Sequence, residues 1–398
     1  MRSCSTMPEP DDRGDDSQGR AMKAHFVESQ DERAHRLSDT VRRAIAGRAF
    51  AGAEAARVEM PAAAPELASR IAANLEAAAP GTARPVIEGV AAEIARTGSG
   101  LAASLLRRDT EVADLSARDL SYMEAVIRVW DRPAWFVRGD APVPPQAVSS
   151  DAEAFWVALI AHATAMLRDT CGRVGCILKQ EDGARTPIGT AWMIGDHTIV
   201  TNAHVALHLA HRRLNLPPAD PRDRWRLRHG IAGLFDPAFE NRAGAGAPIS
   251  ISDVLYVEAS QDPDIAIFRL DREAAAPAPL ALALADAGPA IDTNLFVVGH
   301  PIADANDDPN VKIVFGRLDG TKRFSPGRLT ARLSPSVVSH DCSTTNGSSG
   351  SPVVDFATMQ AIGLHYFGKP GERNEAVLFA ALAEHPAVVR SLAGDWLV

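Results

Sequence analysis

Cysteine is scarce, with four residues in a chain of 398, at positions 4, 171, 176 and 342. That density excludes a disulfide scaffold, and the trio of Cys171, Cys176 and Cys342 has no evident pairing. A Cys-x4-Cys spacing without two further close ligands is too loose for a structural zinc site, so no metal is expected. Reduced, buried thiols in a reducing compartment are the plainer reading. A basic surplus is missing too: 41 Lys and Arg stand against 50 Asp and Glu, a formal net charge of −9. Nucleic acid and anionic bilayers are held by Lys/Arg clusters that release counterions, so neither partner is expected. Long apolar runs are also absent, none reaching the ~18 residues of a membrane span. The N-terminal MRSCSTMPEPDDRGDDSQGR has acidic residues where a signal peptide is basic, and no apolar segment follows. A cytoplasmic location is the expectation.

What is present changes along the chain. Residues 1–30 are polar, with Asp11, Asp12, Asp15 and Asp16 clustered, and read as a disordered tail. Residues 31–130 turn to Ala, Leu, Arg and Glu, which favours helix. Leu67, Ile71 and Leu75 recur every four residues, and Ile87, Val90 and Ile94 repeat at three and four. Leu120, Met123, Ile127 and Trp130 do the same after a Ser116-x-x-Asp119 start signal. Pro61, Pro65, Pro80 and Pro85 divide this helical module into short pieces. Residues 131–171 form a Pro-rich linker and a connecting helix, striped by Phe155, Trp156, Leu159, Ile160, Ala163, Met166 and Leu167. Within the linker, Trp135 and Phe136 are expected to anchor the chain to a neighbouring surface.

From residue 172 to 398 short β-rich runs alternate with Gly, Pro and Asp: GRVGCILK, GTAWMIG, HTIVTNA, DVLYVEA, DIAIFRL, NLFVVGH, VKIVFGRL, GSPVVDF and AIGLHYFG. Many short strands with frequent turns predict an all-β sandwich or barrel. A short helix is predicted at 380–394.

Three places in this half carry chemistry. Asn346-Gly347-Ser348-Ser349-Gly350-Ser351-Pro352 is a glycine-permitted turn that could hold a hydroxyl nucleophile, with Ser349 central. His204 follows an apolar strand, Thr198-Ile199-Val200-Thr201, in a small-residue turn where a base would sit; His197, His208 and His211 lack that context. Asp264 enters an apolar strand, as a carboxylate orienting an imidazole should, and Asp262 competes from before the proline. Singly, each has a plainer role: a flexible Gly/Ser turn, a satisfied core histidine, a turn-capping aspartate. Together they run His, Asp, Ser, an order shared with the chymotrypsin type and not with subtilisin or the α/β-hydrolases.

On GTAWMIGDHTIVTNAHV, PDIAIFRL and NGSSGSPVV, residues ~172–395 resemble a trypsin-like serine protease. The resemblance implies a multidomain α and β chain: an N-terminal all-α module, then an all-β double-barrel chymotrypsin-like domain with its site between the barrels. It implies a catalytic triad of His204, Asp264 and Ser349, an oxyanion hole from the N–H groups of Gly347 and Ser349, a polypeptide substrate and no cofactor. The missing disulfides match the bacterial branches. STTNGSSGSPVV followed by IGLHYFG is most similar to the bacterial glutamyl endopeptidases. Carried over, Thr344 and His365 would bind a P1 carboxylate, and Gly368 would lie at the pocket rim. Ser343 stands where trypsin-like specificity would place an Asp, which disfavours a basic P1. Glu375 falls where that branch has Gly beside the pocket floor, and there it would repel an acidic side chain. On Thr344 and His365 acidic P1 is the first expectation, small or polar P1 the second and basic P1 the last.

Helical modules of this size precede trypsin-like domains in some bacterial proteins proposed as regulated effectors. Residues 31–130 would then hold a regulatory protein partner or restrain the protease, against a plain oligomerisation or solubility role. A latent or inactive trypsin-fold binding module is the non-enzymatic alternative. A protease-chaperone with a PDZ domain is disfavoured, since only 49 residues follow Ser349.

Overall fold

The computed structural model describes Leu37 and residues 65–107, 114–145, 151–213, 225–240, 247–284, 288–305, 309–369, 373–394 and 396. The predicted tail at 1–30, and Cys4 with it, lies outside the described residues.

Helices α1 (Pro65–Ala78), α2 (Arg84–Arg107) and α3 (Ala117–Asp131) form the N-terminal module. Leu67 and Ile71 of α1, and Leu120, Met123, Ile127 and Trp130 of α3, are buried as their spacing predicts. On α2, Ile87 and Ile94 are buried but Val90 is exposed. Ser116 caps α3 through a reciprocal box: its side chain takes the Asp119 N–H and the Asp119 carboxylate takes its backbone N–H. Beyond α3 the linker forms a ribbon of β1 (Trp135–Arg138) and β2 (Ala141–Pro142). The connecting helix α4 (Asp151–Gly172) buries Trp156, Ile160, Ala163 and Leu167 and leaves Phe155 and Met166 exposed.

Two closed six-stranded barrels follow. The first consists of β3 (Val174–Glu181), β4 (Ala184–Gly195), β5 (Thr198–Thr201), β8 (Ala232–Asp236), β9 (Ile249–Val257) and β10 (Ala266–Leu270); β6 (Ala210–Arg212) and β7 (Trp225–Leu227) pair outside it. The second consists of β11 (Asn294–Gly299), β12 (Arg323–Arg332), β13 (Val337–His340), β14 (Pro352–Asp355), β15 (Ala361–Lys369) and β16 (Arg373–Leu378), closed by the β11–β12 pairing. Period-two alternation sorts the side chains. Ala191, Met193, Ile199 and Phe268 fill the first barrel, and Leu295, Val297 and Val353 fill the second. Their neighbours Trp192, Val200, Ile267, Phe296 and Val298 face a shared core between the barrels, which also takes in Trp135 and Trp156. An N-terminal helical region followed by two β-barrels is the architecture the resemblance implies.

Three results correct or extend the sequence reading. VKIVFGRL, expected as a strand, lies mostly in a helix, Pro309–Phe315. Its apolar side chains Val311, Ile313, Val314 and Phe315 pack with Leu67, Ile71, Ile94 and Val126 of the module, and that contact overrides β-branched propensity. Its carbonyls are capped from outside: Asn74 Nδ2 donates to those of Ile313 (2.7 Å) and Val314 (3.1 Å). Conversely, RFSPGRLTAR, which carries Pro, Gly and three Arg and so gives no strand signal, forms β12. Pairing with β11 and β13 makes it a strand regardless. Finally, the anchoring role of Trp135 and Phe136 takes a specific form: β1 adds to the outer edge of β12, pairing Trp135 with Phe324 and Phe136 with Arg323. The module is thereby stitched to the second barrel.

Candidate active site

Strands β5 and β10 are direct neighbours, with Thr201 opposite Ala266. The segments just past the end of β5 and just before the start of β10 therefore meet. Asn202 starts the four-residue helix Ala203–Ala206, which carries His204, and its Nδ2 donates to the Asp264 carbonyl at 2.8 Å. Asp264 is buried and His204 is partly open to solvent. Asp264 Oδ2 lies 2.6 Å from His204 Nδ1, and Oδ1 accepts the His204 backbone N–H at 3.1 Å. Both oxygens of one carboxylate thus hold one residue, which fixes the ring and favours the tautomer protonated at Nδ1. Asp262 is exposed, and its carbonyl accepts the Ser260 hydroxyl.

Ser349 lies half-buried in the turn between β13 and β14. The first barrel grips this turn through Thr190: its N–H donates to the Ser349 carbonyl (2.9 Å) and its hydroxyl to the Gly347 carbonyl (2.8 Å). Gly347 and Gly350 both have positive φ, +82° and +87°. A Cβ on Gly347 would stand 2.3 Å from the His300 carbonyl, and one on Gly350 would stand 2.1 Å from that of Thr190. Only glycine fits either place. Among the described residues, the N–H groups of Gly347 and Ser349 have no intramolecular acceptor. The turn packs beside the His204 helix, since a Cβ on Gly189 would touch both a Val205 methyl (2.8 Å) and the Ser349 carbonyl (3.4 Å). Among the described residues Ser349 Oγ makes no hydrogen bond with His204; such bonds are often long in unliganded sites.

Thr344, His365 and Gly368 converge next to this turn. A Cβ on Gly368 would lie 2.8 Å from Thr344 Oγ1, 3.4 Å from His365 Cε1 and 2.5 Å from Asn374 Oδ1. Asn374, which the sequence reading missed, ties the group together: its Oδ1 accepts the Thr344 hydroxyl (2.6 Å) and its Nδ2 donates to the Cys342 carbonyl (2.8 Å). Glu375 is elsewhere. Alternation along β16 sends it away from Asn374, where it accepts from Arg373 Nε (2.6 Å) and the Tyr366 hydroxyl. It is Asn374, one residue earlier, that meets Thr344 and Gly368. Ser343 turns from this group as well, donating to the Arg132 carbonyl at 2.6 Å.

Behind His365 lies a second histidine with no signal in the sequence. His340 Nε2 is 3.2 Å from His365 Nδ1, and both rings are buried. Burial pushes His340 down to about 3 and His365 well below the usual histidine range, so both are neutral. Among the described residues His340 Nδ1 has no partner. A buried bare lone pair costs less than an orphaned N–H, so His340 carries its proton on Nε2 and donates it to His365 Nδ1. His365 then keeps its own proton on Nε2.

Among the described residues no group of His, Cys, Asp or Glu is arranged to hold a metal ion, and no helix is long and apolar enough to cross a membrane. Residues 189–364 match the family model of the trypsin-like peptidase domain. That segment runs from β4 into β15 and contains His204, Asp264 and Ser349. No curated protein matches the chain. Among solved structures it is similar to the serine endoprotease from Yersinia pestis, at 14% identity and a TM-score of 0.39, over 56% of this chain and 65% of that one. It is also similar to Deg5, at 17% identity and a TM-score of 0.38, over 60% of this chain and 97% of that one.

Proposed function

We propose that the chain is a serine endopeptidase of the trypsin-like type. The supporting observation is the double hold of Asp264 on His204, next to a turn in which, among the described residues, the N–H groups of Gly347 and Ser349 have no intramolecular acceptor. In this reading Ser349 Oγ bonds to the scissile carbonyl carbon while its proton passes to His204 Nε2. The carbonyl electron pair moves onto oxygen, which the N–H groups of Gly347 and Ser349 receive. Collapse breaks the C–N bond, His204 protonates the leaving amine, and an acyl-enzyme remains. Water then repeats the sequence with Ser349 as leaving group. Asp264 accepts the Nδ1–H hydrogen bond throughout and stabilises the imidazolium.

A P1 side chain bearing a carboxylate or amide oxygen fits the pocket best. Thr344, Asn374 and His365 are neutral hydrogen-bonding groups, and the nearby carboxylate of Glu375 is paired with Arg373 on the other side of its strand. Acidic P1 ranks first, small or polar P1 next, and basic P1 last.

A fluorophosphonate probe tests the chemistry: it should label the wild type and not Ser349→Ala. Labelling of neither would favour a trypsin-fold binding module. A peptide library varied at P1 tests the pocket, and a Lys/Arg preference would refute it.

A further inference from the structure

The segment that leads into the nucleophile turn is held from outside the barrels by one residue of the helical module. Arg132 caps the C-terminus of α3 and is 5% exposed. One guanidinium nitrogen pairs with Asp131 (2.5 Å); the other donates to Asp341 Oδ2 at 2.7 Å. Asp341 is the first residue after β13, and its second oxygen takes the Arg328 N–H at 2.6 Å. The Arg132 carbonyl accepts the Ser343 hydroxyl, two residues further along. Thr344 follows at once, then the turn that holds Gly347 and Ser349. A single buried residue therefore fixes both ends of Asp341–Ser343.

The opposite flank of the same turn is held by the module as well. Gly347 rests on His300 and Ile302, and the Ile302 N–H donates to the Asn346 carbonyl at 2.8 Å. His300 and Ile302 open the β11–β12 connection, which contains the Pro309–Phe315 helix buried against α1, α2 and α3. Asn310 Nδ2 reaches Ser121 of α3 at 2.7 Å, and Arg323 closes the connection by donating to the Phe315 and Arg317 carbonyls. Both segments that set the position of the oxyanion turn thus end on helices that precede the barrels.

We infer that the helical module is a built-in support of the oxyanion turn, with Arg132 as its positioning residue. The inference rests on the serine endopeptidase reading. The charge on Arg132 orients Asp341, and its carbonyl orients Ser343. The two together keep the Gly347 and Ser349 N–H groups pointing at the substrate oxygen. Displacement of an oxyanion-hole donor typically costs about 10²–10³ in kcat, and removal of one of two supports should cost less, roughly 10–100-fold.

The test measures the rate of fluorophosphonate labelling, kcat and KM on a peptide substrate, and the thermal midpoint, all on the full chain. Arg132→Gln should slow labelling and kcat about 10–100-fold with KM little changed. Arg132→Lys, which keeps a cation toward Asp341, should recover most of the loss. Asp341→Asn preserves an acceptor for the Arg328 N–H and serves if Arg132→Gln fails to fold; it should show the same kcat-selective loss. Arg70→Gln breaks another, partly buried ion pair of the module, with Glu153 of α4, distant in sequence from the nucleophile turn. It should lower the thermal midpoint and leave labelling of the folded protein at the wild-type rate. If Arg132→Gln and Asp341→Asn lose labelling only in proportion to unfolded protein, as Arg70→Gln would, Arg132 is a stabilising residue and the inference fails while the endopeptidase reading stands. A wild type labelled no more than Ser349→Ala overturns both.

Discussion

Replacing Asp264 by asparagine preserves side-chain volume and removes the charge, and the geometry determines which way the new amide must sit. Both carboxylate oxygens are acceptors in the native site, Oδ2 from His204 Nδ1 at 2.6 Å and Oδ1 from the His204 backbone N–H at 3.1 Å. An amide offers one acceptor and one donor. With its oxygen on Nδ1, its NH2 would face the backbone N–H, donor against donor, at a cost of about 1–3 kcal/mol. With its oxygen on the backbone N–H, its NH2 faces Nδ1, and the ring proton must move to Nε2. The backbone cannot exchange roles, so the second arrangement prevails and, in the proposed mechanism, Nε2 can no longer take the Ser349 proton. That penalty alone reduces the competent tautomer roughly 5–150-fold. Loss of the carboxylate also removes its attraction for the imidazolium, about 4 kcal/mol at an effective dielectric near 20. Because the imidazole is 37% exposed, about half of that, or roughly 30-fold, is the fairer figure. The two effects multiply to about 10²–10⁴ in kcat, a range that reaches the ~10⁴ measured for the same change in the type-case triad. Steady-state kinetics and fluorophosphonate labelling should both show it, with KM and the thermal midpoint nearly unchanged. A folded Asp264→Asn variant that retains more than about a tenth of wild-type kcat would refute the reasoning.

Three other outcomes follow from the same geometry. Asn374→Asp places a charge against Thr344 and Gly368 and should shift P1 preference toward Lys/Arg by at least about tenfold; an unchanged library profile means that Asn374 does not line the pocket. His340 titrates at about 3 when folded and near ~6.5 when unfolded, so the unfolded chain binds a proton the folded one refuses between those values. Stability is therefore full above about pH 6.5 and falls as pH drops toward 3, by up to ~1.4 kcal/mol per unit for each such histidine. His340→Gln should flatten the urea midpoint between pH 7 and 4, and an identical slope counts against it. Cys171, Cys176 and Cys342 are fully buried, and burial raises their thiols, that of Cys171 to about 12. In a Cys4→Ser background the native protein should release no chromophore from Ellman's reagent, and three equivalents in guanidinium; a fast native reaction would contradict that burial.

Local pattern was sufficient for whatever depends on neighbours in the chain. The helices of the module were legible from 3.6-residue periodicity and the Ser116 box, and most β-runs from alternation, because each face of an element must choose core or solvent. The strand-end positions of His204 and Asp264 and the tight glycine turn at Ser349 were legible because small residues, strand ends and glycines must form such turns for steric reasons. Only tertiary structure decided the rest. VKIVFGRL has strand chemistry and becomes helical because a groove of α1–α3 receives its apolar face and Asn74 caps its carbonyls. Glu375 and Asn374 are adjacent in sequence, and barrel closure alone selects which of them meets Thr344. His340 reaches His365, and Arg132 reaches Asp341, across 25 and 209 residues. Such contacts depend on where two separately folded elements dock, and no local preference encodes that. Scarce cysteine excluded a stapled scaffold from the outset; the two barrels, the ribbon from β1 and the ends of α3 hold the site instead.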